Sequence, residues 1–176
     1  MWKTWANLLT LVRLLVAVPC ALAAWQGLWT SAAVLLSIAI LTDLLDGPLA
    51  RRFDHQTALG GFFDHATDAL FIALLLAALA CRGLLALWLP ALVIGAFVQY
   101  ALDSRALAGR PLRSSRLGRI NGIAYFVLGS VPVYAGALGL SWPPAFVLYG
   151  VSWLLVTTTL LSMGDRLWAW QRSRSG

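Results

Sequence analysis

The sequence contains no glutamate, and only 11% of its 176 residues are charged. A soluble globular domain typically has about 25% charged residues, so the composition excludes that class. Cysteine is also scarce, since Cys20 and Cys81 are the only two and both stand in or beside apolar runs. We interpret them as buried free thiols, which argues against a disulfide framework or a cysteine-ligated metal site.

Apolar residues make up 60% of the chain, and the mean hydropathy is +0.79. The sequence therefore predicts an integral membrane protein. Its net charge of +6 is attributed to cytoplasmic loops, where Lys and Arg accumulate in such proteins, and not to binding of nucleic acid. The acidic residues are seven aspartates: Asp43, Asp46, Asp54, Asp64, Asp68, Asp103 and Asp165.

The apolar runs predict an all-α protein with a single domain, residues 1–176, that crosses the membrane six times. Trp and Lys side chains in Met1–Ala6 favour a short N-terminal helix at the level of the lipid headgroups. The predicted spans are Asn7–Trp25, Thr30–Ala50, Gly60–Ala80, Leu84–Leu102, Ile120–Leu140 and Ala145–Met163.

Basic residues alternate between the two sides of this topology. Lys3, the turn at residues 51–57, the arginine-rich loop 103–119 and the C-terminal tail fall on one side, whereas the other side has only Arg82. The positive-inside rule then predicts that both termini lie in the cytoplasm, together with the aspartate-rich stretch 41–70.

Four aspartates in that stretch share helix faces. Residues three or four apart are neighbours on a helix, so Asp43 lies beside Asp46, and Asp64 lies beside Asp68 on the next helix. A hairpin of the two helices would gather four carboxylates, whose unpaired charges are costly to bury. Because no Cys or His stands at a suitable spacing, we expect hard divalent cations, Mg²⁺, Mn²⁺ or Ca²⁺, and two of them balance the charge.

Fixed gaps relate the small and acidic residues of this stretch: Asp43-x-x-Asp46-Gly47-x-x-Ala50-Arg51, eight residues, then Gly60-x-x-x-Asp64-x-x-x-Asp68. The pattern resembles, at every fixed position, the signature of the CDP-alcohol phosphotransferase (CDP-alcohol phosphatidyltransferase) family, in its short bacterial form. The resemblance implies a polytopic enzyme of phospholipid synthesis, which transfers a substituted phosphate from a CDP-linked donor to an alcohol and releases CMP. It also implies a homodimer and a location in the bacterial inner membrane, with the active site in the cytoplasm.

The same resemblance implies roles for the matching positions. Asp68 is expected to be the catalytic base, accepting the proton of the acceptor hydroxyl. The CDP group would contact Asp43, Gly47, Ala50, Arg51 and Gly60. Two ions, Mg²⁺ or Mn²⁺, would be held by Asp43, Asp46, Asp64 and Asp68.

Basic residues and one histidine outside the signature need their own interpretation. Arg13 shares a face of the first span with Asn7 and Thr10, and we interpret it as a cation that faces the aspartates, with snorkelling to the headgroups as the alternative. His65 is expected to point away from Asp64, because successive helical residues differ by about 100°. Four arginines could bind an acceptor phosphate, or else reflect topology and anionic lipid: Arg110, Arg113, Arg116 and Arg119.

The substrates stay open at this level. The run from Asp64 to Asp68 resembles choline/ethanolamine phosphotransferases, which act on diacylglycerol and are usually longer, whereas the chain's size and basic loop resemble short phosphatidyltransferases. We favour CDP-diacylglycerol as donor and a small alcohol or a lipid as acceptor. A non-enzymatic cation transporter is a further alternative, because carboxylates in membrane spans serve transport as well as catalysis. The predicted position near a cytoplasmic span end favours the enzyme, since transport sites lie near the midplane.

Overall fold

The computed structural model describes residues 5–52, 58–103 and 116–175, with side chains for 8–45, 60–103 and 116–168. Within these ranges the chain forms helices and no strands, which confirms the predicted all-α class. The helices are α1 (Trp5–Gln26), α2 (Trp29–Arg52), α3 (Ala58–Cys81), α4 (Leu89–Asp103), α5 (Arg116–Ala137) and α6 (Ala145–Ser175).

Four of these helices contain a stretch long and apolar enough to cross a membrane: Leu8–Gln26, Gly60–Cys81, Arg116–Ala137 and Ala145–Trp168. Two further apolar stretches, Trp29–Leu45 and Leu89–Asp103, are shorter. A bilayer core of about 30 Å requires roughly 20 helical residues. In the described part of the chain, therefore, four candidate spans meet the criterion by length and composition.

Three helices end in the same way, at glycines with positive φ. In each case the glycine and the residue after it turn their N–H groups back to carbonyls of the last helical turn, as in Leu28 to Ala23 (2.9 Å) and Leu140 to Ala135 (2.8 Å). This Schellman geometry needs a left-handed residue, which glycine adopts without steric cost. The glycines are Gly27 (φ 78°), Gly83 (φ 74°) and Gly139 (φ 66°), after α1, α3 and α5.

Small buried residues bring α1 and α2 close together. Ala24 and Ala32 are fully buried, and the Cys20 Sγ lies 3.6 Å from the Ala32 carbonyl oxygen. Alanines at such positions allow helix backbones to approach closely in a membrane. Helix α3 packs on α1, and α5 packs on α2, α3 and α6, while α4 packs on α3 and α6. The contacts described here and below make α1, α3 and α5 run one way and α2 the opposite way.

Arg82 and Trp29 join three helices at one end of the bundle. The Arg82 Nη1 donates to the Trp25 carbonyl at 2.7 Å, and its guanidinium lies 4.9 Å from the Trp29 ring centroid. Trp29 also meets Gly136 of α5, where an added Cβ would lie 2.5 Å from the indole Cγ. The signature aspartates lie toward the opposite end, where α1, α3 and α5 begin.

Several predicted boundaries are wrong. Helix α4 begins at Leu89 and not at Leu84, because Pro90 favours the first turn of a helix, where its missing N–H costs nothing. Before α4, Leu85 and Ala86 are buried, and the Ala86 N–H donates a hydrogen bond to the Ser152 Oγ of α6 (2.9 Å). Helix α5 spans Arg116–Ala137 instead of residues 120–140.

Helix α6 does not end at Met163 but continues through the predicted tail to Ser175. A single glycine, Gly164, costs about 1 kcal/mol in a helix interior, and contacts of Arg166 with α4 help to offset that cost. The predicted N-terminal interfacial helix falls largely on residues 1–4, outside the described part of the chain. Trp5 and Ala6 belong to α1 itself.

Candidate active site

Arg13 of α1 gathers three signature carboxylates from two other helices. Its Nη2 lies 3.2 Å from the Oδ1 of Asp43 on α2. Its Nη1 donates to the Oδ1 of Asp64 at 2.9 Å and also hydrogen bonds to the Oδ1 of Asp68, both on α3. The predicted orientation of Arg13 toward the aspartates is therefore confirmed, and so is the juxtaposition of Asp43, Asp64 and Asp68.

Arginine and carboxylates differ sharply in their exposure. The Arg13 side chain is 2% exposed, whereas those of Asp43, Asp64 and Asp68 are 53%, 30% and 36% exposed. The guanidinium thus lies on the buried side of the cluster, and the carboxylates open toward its accessible side. A buried arginine is stable only when it is paired, because an isolated charge loses its hydration without compensation. The planar fork of arginine suits several carboxylates at once.

Helical spacing sets the faces on which the aspartate side chains lie, and the neighbouring threonines bond to their own helices. Asp64 and Asp68 are one turn apart and therefore lie on the same face of α3. The intervening Thr67 donates to the Phe63 carbonyl of its own helix at 2.9 Å, and Thr42, next to Asp43, donates to the Ala39 carbonyl at 2.8 Å. These hydroxyls are engaged by the backbone of their own helices.

His65 differs from its prediction. One ligand atom each from Asp64, His65 and Asp68 lies within 4.8 Å of the other two, close enough for a shared metal ion. The 3.6-residue period separates His65 from Asp64 by angle, but an exposed imidazole on a neighbouring position can reach back to the same level. His65 is therefore a further candidate ligand, which helical spacing alone did not predict. Asp43 does not join this tight group among the side chains that the structure describes.

The remaining signature positions are placed only in part. Gly60 lies in the first turn of α3 and is partly buried. Asp46, Gly47, Ala50 and Arg51 belong to the helical backbone of α2, but their side chains lie outside the described ones. The fourth carboxylate and these CDP contacts consequently stay predictions.

Of the four arginines proposed to bind an acceptor phosphate, the structure describes two. Arg110 and Arg113 lie outside the described residues, whereas Arg116 and Arg119 occupy the first turn of α5 and are exposed. Trp29 of α2 contacts Gly136 of α5, so these two positions lie at the same level of the bundle. Because α2 and α5 run in opposite directions, Asp43 and Gly122, each about 14 residues from that contact, also lie at about the same level. Arg119 then lies about 5 Å nearer the end of the bundle than Asp43, at 1.5 Å per helical residue.

Arg166 of α6 is a candidate residue that the sequence analysis missed. It lies 3.7 Å from the Asp103 Oδ2 and 5.1 Å from the Tyr100 ring centroid, both on α4. Arg119 is also close enough to Tyr100 to interact with it electrostatically. Because Arg166 follows the predicted end of the sixth span, the sequence analysis assigned it to the tail. The helical hydropathy pattern alone contains no signal that places it beside α4.

The donor set fits a hard divalent cation. Carboxylate oxygens are the ligands that Mg²⁺ and Mn²⁺ prefer, and an imidazole nitrogen is compatible with Mn²⁺. The three carboxylates on Arg13 carry more negative charge than the one guanidinium balances, and their partly exposed side is accessible. The arrangement can therefore bind cations, and through them the phosphates of a substrate.

Three known proteins are similar to parts of this sequence. A probable cardiolipin synthase (CMP-forming) of Drosophila melanogaster is 36% identical over 89 residues, which are 50% of this chain and 28% of that protein. A cardiolipin synthase (CMP-forming) of Streptomyces coelicolor is 38% identical over 63 residues, 36% of this chain and 29% of that protein. The CDP-diacylglycerol–glycerol-3-phosphate 3-phosphatidyltransferase of Pseudomonas fluorescens is 39% identical over 92 residues, 50% of this chain and 47% of that protein.

These matches span less than half the length of each relative, so they describe shared segments. A family model, by contrast, covers nearly all of the chain. The model for CDP-alcohol phosphatidyltransferases matches residues 3–167, a range that includes the complete signature and Arg13. The resemblance inferred from the signature is thereby confirmed, and the chain belongs to the CDP-alcohol phosphatidyltransferase family.

Proposed function

We propose that this protein transfers the phosphatidyl group of CDP-diacylglycerol to an alcohol and releases CMP, in a cytoplasmic-facing site of a membrane. One observation carries the proposal: three carboxylates of the family signature converge on a buried arginine, with their accessible side open. The family match over residues 3–167 supports the reaction class.

The proposal includes the topology. All six helices cross the membrane as one domain of residues 1–176, the shorter apolar stretches of α2 and α4 included. Both termini lie in the cytoplasm, because among the described side chains Arg116, Arg119 and Arg166 lie toward the end of the bundle with the aspartates, whereas Arg82 lies at the opposite end. The membrane is the bacterial inner membrane.

Asp43, Asp46, Asp64 and Asp68 would hold two Mg²⁺ or Mn²⁺ ions, with His65 as a further ligand candidate. When bound, these ions neutralise the donor's pyrophosphate and the charge that develops during displacement. Arg51 would contact the CDP phosphates, and the small residues Gly47, Ala50 and Gly60 would leave room for the nucleotide.

In the reaction, the acceptor's hydroxyl oxygen attacks the phosphorus that bears the diacylglycerol group. A new P–O bond forms, the bond from that phosphorus to the CMP oxygen breaks, and CMP leaves. Asp68 accepts the hydroxyl proton. Its hydrogen bond to Arg13 fixes the direction of the carboxylate, so the base is oriented before the acceptor arrives.

The relatives favour CDP-diacylglycerol over a CDP-amino-alcohol. The name of the Pseudomonas fluorescens protein specifies that donor, and two further relatives are CMP-forming cardiolipin synthases. A choline/ethanolamine-type reaction, suggested by the run from Asp64 to Asp68, is the competing function to be excluded by experiment.

A phosphate-bearing acceptor would suit the arginines toward the same end of the bundle as the cluster. Glycerol 3-phosphate is the acceptor named for the Pseudomonas fluorescens relative. Arg116 and Arg119 begin α5 within about 10 Å of the level of Asp43, at 1.5 Å per residue. Arginine pairs with phosphate through two parallel hydrogen bonds, so Arg110, Arg113, Arg116 and Arg119 are proposed to hold the acceptor phosphate, with Arg166 nearby.

The test is product formation by the purified protein with Mn²⁺. CDP-diacylglycerol is offered with glycerol 3-phosphate, or with a phospholipid that has a free glycerol headgroup, and CDP-choline is offered with diacylglycerol. Mass spectrometry should detect a phosphatidylated acceptor and CMP in one of the first two mixtures. Phosphatidylcholine from the third mixture alone would contradict the proposed donor.

A further inference from the structure

Arg13 contacts the site from its buried side, and this position has a consequence for metal binding. We propose that Arg13 is a resident counter-cation: it holds Asp43, Asp64 and Asp68 together without a divalent cation and weakens the affinity of the carboxylates for one. The inference rests on the proposed function, because it concerns the same carboxylates.

The geometry supports the first half of the proposal. Asp43 and Asp64 stand on different helices, and each directs its Oδ1 to a different nitrogen of the same guanidinium. Asp68 directs its Oδ1 to the nitrogen that Asp64 also contacts. One positive charge thus connects three negative charges that would otherwise repel one another at short range. Arg13 thereby fastens α1 to both α2 and α3 at the level of the site.

The net charge of the cluster supports the second part of the proposal, that Arg13 weakens the affinity for a divalent cation. When all three carboxylates are ionised they carry three negative charges, and the guanidinium reduces the net charge to minus two. A divalent cation approaching the open side is attracted by the carboxylates and repelled by Arg13. Because Arg13 is buried, water and salt screen this repulsion little. Arginine and metal therefore act on the same carboxylates as antagonists, and each stabilises the cluster more when the other is absent.

Two alternatives make opposite predictions. If Arg13 mainly preorganises the ligands, its removal weakens metal binding. If Arg13 only fastens the helices, its removal lowers stability by the same amount with or without metal. The antagonism predicts that removal strengthens metal binding, so that metal restores much of the stability that is lost.

The experiment compares Arg13→Gln with Arg13→Lys and with Arg82→Gln in detergent. Gln removes the charge and keeps polar atoms, whereas Lys keeps the charge. Arg82 is a matched control, since it also contacts α1 and joins helices, but at the far end of the bundle. Free Mn²⁺ is measured by electron paramagnetic resonance to give the affinity, and thermal unfolding is recorded in EDTA and in saturating Mn²⁺.

We expect Arg13→Gln to bind Mn²⁺ about tenfold or more tightly, which corresponds to roughly 1.4 kcal/mol, and to gain more thermal stability from Mn²⁺ than the wild type. Arg13→Lys and Arg82→Gln should keep the wild-type affinity. Unchanged or weaker Mn²⁺ binding by Arg13→Gln overturns the inference, as does failure of that variant to fold in saturating Mn²⁺. Absence of Mn²⁺ binding by the wild type overturns the metal site itself, and the inference with it.

Discussion

The Nη1 of Arg13 donates a hydrogen bond of 2.9 Å to the Oδ1 of Asp64, although the two residues are 51 positions apart in the chain. The pair joins α1 to α3, and the Arg13 guanidinium is almost fully buried. A charge in such a place is stable only with partners. Its position beside the family signature connects the stability of the bundle to the chemistry of the site.

Asp68→Asn separates proton transfer from binding. If Asp68 is the base, the variant should lose about 10²–10⁴-fold in the rate of CMP release and still bind CDP-diacylglycerol in the presence of Mn²⁺. Rate and donor affinity are measured on the same preparation. Asp165→Asn, which changes an exposed carboxylate outside the cluster, should retain both properties.

Loss of donor binding together with metal in Asp68→Asn would assign Asp68 mainly to ligation. An unchanged rate would contradict both roles.

Gly136→Ala tests the packing of α5 on α2. The new methyl group would meet the Trp29 indole at distances of 2.5–2.9 Å, and that ring is held in turn by Arg82. Overpacking of this kind typically costs about 1–3 kcal/mol, so thermal unfolding should begin at a lower temperature.

The control is Gly150→Ala in α6, where nothing lies within 4 Å of the added atom. Alanine favours a helix interior by about 0.5–1 kcal/mol relative to glycine. Equal melting temperatures for Gly136→Ala and Gly150→Ala would show that the Trp29 contact is not tight.

Arg116→Ala and Arg119→Ala test the acceptor site. If these side chains bind an acceptor phosphate, the KM for the acceptor should rise while the KM for the donor changes little. Arg82→Ala serves as the control, because it removes an arginine from the opposite end of the bundle. Equal increases in both KM values would leave only topology and lipid binding as explanations for the basic loop.

Cys81 provides a native probe of the orientation. It is exposed at the end of α3, so the prediction that both cysteines are buried is wrong for Cys81 and confirmed only for Cys20. A membrane-impermeant maleimide added to intact spheroplasts should therefore label the wild type at Cys81, and Cys81→Ser should remove the label. Asp165→Cys in the Cys81→Ser background should react only after the membrane is opened. Labelling of Asp165→Cys in intact spheroplasts, with protection of Cys81, would invert the proposed orientation.

The features that could be predicted from the sequence are those that follow from the helical period and from the placement of charged residues. The proximity of Asp43, Asp64 and Asp68 could be predicted, because helical spacing puts each of them on a defined face. The orientation of Arg13 toward them could be predicted because a charge in an apolar helix needs a partner. The pairing of Arg166 with α4 could not be predicted, because it depends on where α6 ends and on which helix lies beside it.

Local rules were less successful at helix ends. The start of α4 depends on Pro90 and on a hydrogen bond of Ala86 to Ser152, 66 residues away. The continuation of α6 past Gly164 is supported by the contacts of Arg166 with Tyr100 and Asp103 of α4. Such tertiary contacts decide helix boundaries that hydropathy leaves undetermined. His65 shows a different limit of prediction from the sequence, because the length of its side chain lets it lie near Asp64 and Asp68 despite its angle on the helix.

The metal dependence of CMP release from CDP-diacylglycerol tests the central claim most directly. The purified wild type is assayed with a phosphate-bearing alcohol, first in EDTA and then with added Mg²⁺ or Mn²⁺, beside Asp64→Asn. We predict no release above background in EDTA, recovery on addition of either metal, and no recovery in Asp64→Asn. Release of CMP by the wild type in EDTA, or at the wild-type rate by Asp64→Asn, would contradict the assignment of this carboxylate cluster as a metal-dependent phosphatidyl-transfer site.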